Sequence, residues 1–232
     1  MRLLIALTTS MLIWVLIFSV LSAYAQPKTG GPLYVYAPPI KINTIGVVSG
    51  DLSMPLQLQR KAARVSIKRV AAKGINIVEG KFTAVQDPFP GFRFGSDVNV
   101  IFSEFSAWAN RAAQMQLLKK REVLHVLAPP LVVNNIKYMG GAALVCSAPK
   151  GGYSYSNAMD INSRGANRVI HSIHGFMHEI LHAIGANHID ATGNVMHPDA
   201  LQQIESQISQ GGKRQLTILN ESRAQVHRCI GK

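Results

Sequence analysis

His178-Glu179-Ile180-Leu181-His182-Ala183-Ile184-Gly185-Ala186-Asn187-His188 is the stretch from which the rest of the chain is read. On a helix, residues four apart lie about 40° apart in azimuth and about 6 Å apart along the axis. His178 and His182 therefore present their imidazoles on one face, within reach of a single tetrahedral ion. Glu179 stands one residue along, beside such an ion rather than on it, where it can take a proton from water and pass it on. Gly185 comes three residues after His182. Glycine accepts the left-handed backbone that ends a helix, so the chain can turn back and bring His188 to the same ion. Three neutral histidines leave the fourth position of a zinc ion open to water, which marks a catalytic rather than a structural site. The bland alternative is an amphipathic helix whose histidines pack or face solvent. It gives the glycine and the third histidine no purpose.

Outward from this segment, apolar spacing organises the chain. Strand character runs over residues 41–48, 75–85, 98–102, 123–127, 141–146 and 158–162. Helical spacing runs over residues 55–73, ended by Gly74, over 104–120 with Phe105 and Trp108 on its apolar stripe, and over 167–184, which carries the histidines. A last helix is expected near residues 216–229. Asp87-Pro-Phe-Pro-Gly91 is a turn, Asp51 is read as an ordinary turn residue, and Pro129-Pro130 stops a strand. Strands and helices alternate, so the expected class is α/β (α+β) with a mixed twisted sheet. His171 and His174 precede the segment at helical spacing. They are read as polar positions on the helix surface, with support of the ligands or an accessory ion site as alternatives. His197 is expected to point away from the ion. Asn220-Glu221-Ser222 fits a glycosylation acceptor.

The chain has 232 residues, 47% of them hydrophobic and 16% charged, enough for a sizeable core and against global disorder. Arg2, the apolar run 3–20 and Ala23-Tyr24-Ala25 read as a signal peptide, residues 1–25, cleaved before Gln26. An uncleaved anchor is the alternative, since the run nearly reaches the ~20 residues that span a bilayer. Residues 26–39 form a Pro/Gly-rich lead-in, and residues 40–232 the main domain. Export puts Cys146 and Cys229 in an oxidising compartment, where an even pair is expected to be bridged, although spacing alone does not prove the bond. Lys and Arg total 24 against 12 Asp and Glu, a net charge of +12. Such a surface attracts an anionic surface or polymer or serves only solubility. The cations are spread out, and no specific nucleic acid is implied.

Gly193-Asn194-Val195-Met196-His197-Pro198 follows the histidine segment closely. The long histidine motif followed by a methionine turn resembles the metzincins, in which a methionine forms a floor beneath the zinc. Met196-His197-Pro198 is similar to the ending found in matrixins. Phe105 and Trp108, and the strand from Gly140 through Cys146 to Lys150, look more like the reprolysin branch, where that cysteine pairs with one near the domain's C-terminus. Cys229 would match it. The resemblance spans about residues 40–230. It departs from reprolysins in placing Ile189 between His188 and Asp190, in lacking their extra cysteines, and in lacking a Pro-Arg-Cys-Gly latency switch.

The resemblance implies a metzincin-like zinc peptidase domain with an active-site helix and a Met-turn at Met196. His178, His182 and His188 would hold Zn2+ and Glu179 would act as general base on a protein or peptide substrate. That substrate would lie extended along an edge strand near Leu144. The expectation is a secreted endopeptidase. The rivals are a zinc hydrolase of a non-protein amide of the cell-wall type and a non-enzymatic secreted basic binding protein.

Overall fold

Ile40, Ile42 and Thr44 are buried on one side of strand β1 (Ile40–Val47), as the two-residue period of a strand requires. This strand lies inside the sheet's parallel part, with a parallel neighbour on each side. The computed structural model describes residues 37–48, 54–86, 118–128, 131–133, 136–138, 141–157, 167–200, 203–204 and 216–231. The expected signal segment, most of the lead-in, Asp51, the turn expected at 87–91 and the strands expected at 98–102 and 158–162 lie outside these residues. So does the helix at 104–120 with Phe105 and Trp108, save its last three residues, which turn into β3.

Helix α1 (Leu56–Ala71) buries Ala62, Ala63, Ser66, Ile67 and Val70, the i, i+3, i+4 stripe of an amphipathic helix. Gly74 follows with φ of 77°, where the periodicity predicted the stop. Strands β2 (Ile77–Val85) and β3 (Glu122–Ala128) flank β1, both parallel to it. Strand β7 (Gly152–Asn157) pairs parallel with β3, His125 opposite Ser154. A small antiparallel hairpin, β4 (Leu131–Val133) with β5 (Ile136–Tyr138), stands apart. Strand β6 (Gly141–Ala143) runs antiparallel to β7 and forms one edge, giving the order β2-β1-β3-β7-β6. This is the mixed α/β sheet the sequence led us to expect.

Helices α1 and α2 (Asn167–Ala183) share a core with Ile40, Ile42, Ile77, Val123 and Leu127 of the sheet. Ser66 Oγ lies 2.7 Å from the Ala62 carbonyl of its own helix and 3.0 Å from the Ile173 carbonyl, so its one proton is shared between acceptors on the two helices. Val47, Val126, Tyr153 and Tyr155 form a second cluster from the alternate strand positions. Beneath α2 this face of the sheet also holds a polar patch. His125 is fully buried, with Ser154 Oγ 2.8 Å from Nδ1, Ser156 Oγ 2.9 Å from Nε2, and its ring against Phe176.

Three expectations change in detail. The strand expected over 141–146 ends at Ala143, because Cys146 adopts a φ of 54° and sends its N–H to the His182 carbonyl instead of a neighbouring strand. The last helix, α3, spans Asn220–Ile230. The residues before it are extended and include Thr217, which bridges to Asn194. His171 and His174 are buried rather than on the surface.

Candidate metal centre

Helix α2 delivers the first two histidines as its pitch dictates, and its C-terminus delivers the third. The Gly185 N–H bonds the His182 carbonyl and the Ala186 N–H bonds the Leu181 carbonyl, the paired bonds of a Schellman ending. Gly185 has φ of 114°. A Cβ there would collide with Cys229 Cβ and lie 3.0 Å from its Sγ. Both backbone and space therefore demand glycine, and the chain reverses toward His188.

The three Nε2 atoms form a near-equilateral triangle. His178 to His182 is 3.1 Å, His182 to His188 is 3.1 Å and His178 to His188 is 3.2 Å. The contact between His178 and His182 is not a hydrogen bond. His178 Nδ1 lies 2.7 Å from the Val195 carbonyl, and His182 Nδ1 lies 2.7 Å from the Ala186 carbonyl. A carbonyl only accepts, so Nδ1 carries the proton in both neutral rings. Their Nε2 lone pairs then face each other at 3.1 Å with no hydrogen between. That arrangement is repulsive unless a cation sits among them. The triangle's centre is about 1.8 Å from each nitrogen, a size that suits the zinc–imidazole distance of about 2.0–2.1 Å. Among the described residues these histidines are the one group of three or more His, Cys, Asp or Glu side chains placed to share an ion.

The electrostatics favour neutral ligands. Burial, helped by His182 and His188, lowers the His178 pKa to about 3, while the Val195 carbonyl opposes the shift. Burial lowers His182 to about 4 against the Ala186 carbonyl. Both rings therefore offer lone pairs at neutral pH. Glu179 is 6% exposed, and burial pushes its carboxyl well above the ordinary range. A dication among the histidines would pull the other way.

Glu179 lies against the edge strand. A Cβ on Gly141 would stand 2.5 Å from Glu179 Cγ, 2.7 Å from Cδ, and against the Tyr155 carbonyl. The absent side chain leaves the carboxylate its place.

Met196 is fully buried in the main core. Its N–H bonds Asn194 Oδ1 at 3.1 Å, and its carbonyl accepts the Ile189 N–H. The methionine turn thus binds the ligand loop through backbone, with Val195 orienting His178. His197 is outside the triad: Nε2 pairs with Asp190 Oδ1 at 3.1 Å and Nδ1 accepts the Asp199 N–H. The spacer Ile189 is buried and Asp190 is exposed, so the departure from the reprolysin pattern shifts the aspartate into the reach of His197. His174 is also outside the triad, buried near Arg69 and His171. Cys146 and Cys229 form a disulfide, Cα–Cα 5.7 Å, beside Gly185.

Fold and site together define a metzincin-like architecture: a mixed sheet, a long helix carrying two ligands, a glycine reversal to the third, and a buried methionine turn. Archaemetzincin from Methanopyrus kandleri shares the fold at a TM-score of 0.55 and 12% identity, over 86% of this chain and all of that one. Metalloproteinase-II from Bacteroides fragilis shares it at a TM-score of 0.51 and 15% identity, over 85% of this chain. This chain spans 54% of the length of the second. No family model and no curated protein matches the sequence. These likenesses support a metzincin-like fold but give no support to the reprolysin or matrixin branch.

Proposed function

We propose that the chain is a secreted zinc-dependent endopeptidase. The observation that carries this reading is the contact between Gly141 on the sheet edge and Glu179 beside the three histidines. Strand β6 has β7 on one side and no strand partner on the other among the described residues. An extended peptide added to that edge gains backbone hydrogen bonds, and it passes directly over the carboxylate. The edge is three residues long and ends just before Leu144.

When bound, zinc polarises water and the scissile carbonyl. The chain's own groups do the rest. The Val195 and Ala186 carbonyls hold two imidazoles in the right tautomer. Glu179 Oε takes the proton of the attacking water and returns it to the departing amine nitrogen. The buried setting of Glu179 suits this traffic, since burial raises the proton affinity of its carboxyl and so strengthens it as an acceptor.

The test is digestion of an unstructured protein and, in parallel, of an anionic cell-wall polymer, with and without a zinc chelator. Mass spectrometry of internal peptide-bond cleavages that vanish on chelation is the expected result. Cleavage of the polymer alone would replace this reading with the non-protein amide hydrolase. No chelator-sensitive cleavage of either would leave a basic binding protein. Export rests on residues 1–25, and N-terminal sequencing of the secreted chain is expected to begin at Gln26.

A further inference from the structure

His178 and His182 are each held by a carbonyl on Nδ1. No bond of that kind holds His188 among the described contacts, and the residue is exposed. Its direction comes instead from the backbone on either side. The Ile189 N–H bonds the Met196 carbonyl at 3.0 Å, and the Asn187 N–H bonds Gln225 Oε1 at 2.8 Å. The first clamp belongs to the methionine turn. The second comes from α3, 38 residues away. We propose that Gln225 is a positioning residue for the third ligand: its carboxamide oxygen holds the Asn187 backbone so that the His188 imidazole meets the other two. This role rests on the metal-binding reading of the triad.

The packing of α3 supports it. Gln225 and Cys229 are one turn apart, so they share a face, and that face meets the reversal. The Gln225 carbonyl lies 3.5 Å from where a Gly185 Cβ would be, and Cys229 lies closer. Cys229 is bonded to Cys146, whose N–H caps the His182 carbonyl at 3.0 Å. The disulfide therefore sets the position of α3 against the end of α2, and Gln225 extends that hold one step further, to the residue before His188. Without the carboxamide oxygen, water would satisfy the Asn187 N–H. The loop would then sample directions in which His188 misses the ion, and zinc binding would bear the cost of ordering it.

Competition against a chromophoric zinc chelator, on the full mature chain, reads the effect without reference to activity. Gln225→Leu keeps the bulk and removes the acceptor, while Gln225→Glu keeps an acceptor oxygen. Zinc binding is expected to weaken about tenfold in the leucine variant, as for other residues that orient a ligand, and to stay within about threefold of the parent in the glutamate variant, which retains the bond. Thermal unfolding of the metal-free proteins separates positioning from folding, and Gln225→Met serves if the leucine variant folds poorly. Leucine and methionine variants that bind zinc like the parent would overturn the proposal. So would a glutamate variant as weak as leucine, or losses of affinity that merely track a lowered metal-free Tm. A parent that binds no zinc would overturn the metal site itself, a result distinct from all of these.

Discussion

At the residue scale, carbonyl placement decides which nitrogen of each histidine faces the ion, and it separates true ligands from neighbours with the same spacing. His174 also lies four residues from His178. It is 1% exposed, and neither ring nitrogen has a hydrogen-bond partner among the described residues. His188→Ala removes a ligand and is expected to weaken zinc binding by orders of magnitude. His174→Ala should leave zinc affinity near that of the parent while costing about 1–3 kcal/mol of stability for a buried side chain lost. Metal analysis after dialysis gives the order, and the reverse order would overturn the assignment. Glu179→Gln is expected to retain zinc and fold, yet lose about 10²–10⁴-fold in turnover, the usual worth of a general base. Turnover close to the parent's with zinc bound would remove Glu179 from that role. The three histidines and Glu179 were legible because helical pitch sets His178, Glu179 and His182 and the glycine reversal returns His188. The supporting carbonyls of Val195 and Ala186, and the Gln225 oxygen, were not. Any residue offers a carbonyl, and a lone glutamine on a helix gives no signal before the tertiary contact is known.

At the element scale, the end of α2 is where local conformation becomes a metal site. Gly185→Ala would put a side chain at φ of 114° and against Cys229. The expected cost is about 1–3 kcal/mol for the strained backbone, with a loss of zinc affinity as the reversal moves. Urea denaturation and chelator competition measure the two, and a variant unchanged in both would mean the reversal is not tight. The disulfide closes a sequence separation of 83 residues, for which loop-closure entropy gives about 4–5 kcal/mol. Strand β7 went unread because Gly152, Ser154, Ser156 and Asn157 look like loop. Its hydroxyls face the buried His125, so polar residues there serve a core that pattern reading assumes to be apolar. For α2 a signal did exist. Its seventeen residues include only Arg168 and Glu179 as formal charges, and a helix with so few charges has little to hold a face in water. That pattern pointed to buried His171 and His174.

At the scale of the whole molecule, buried neutral histidines couple folding to pH. Burial lowers His125 and His174 to about 3, below the unfolded value near 6.5. Between those values the unfolded chain binds the proton and the folded chain does not. Stability therefore falls as pH falls, by about 1.4 kcal/mol per pH unit for each such histidine. At pH 4.5 the contribution of His125 alone is about 3 kcal/mol below that at neutral pH. Urea denaturation of the metal-free protein from pH 4 to 8 should show this slope, and His125→Asn should reduce it. A slope unchanged in the His125→Asn variant would mean that His125 is charged in the folded state or reached by water.

The sequence by itself determined the two histidines on one helical face with the glutamate beside them, the glycine reversal, the third histidine, the alternation of strands and helices, and the glycine stop after α1. Each of these depends on steric and periodic rules that act within a few residues. Only the tertiary structure decided which sheet edge lies against Glu179, which carbonyls set the tautomers, that His125 sits between two serines beneath α2, and that α3 reaches back to the loop before His188. Apart from Ala186, four residues from His182, those contacts join residues 17 to 38 positions apart, and local pattern carries no information on which distant backbone group will arrive within hydrogen-bonding distance.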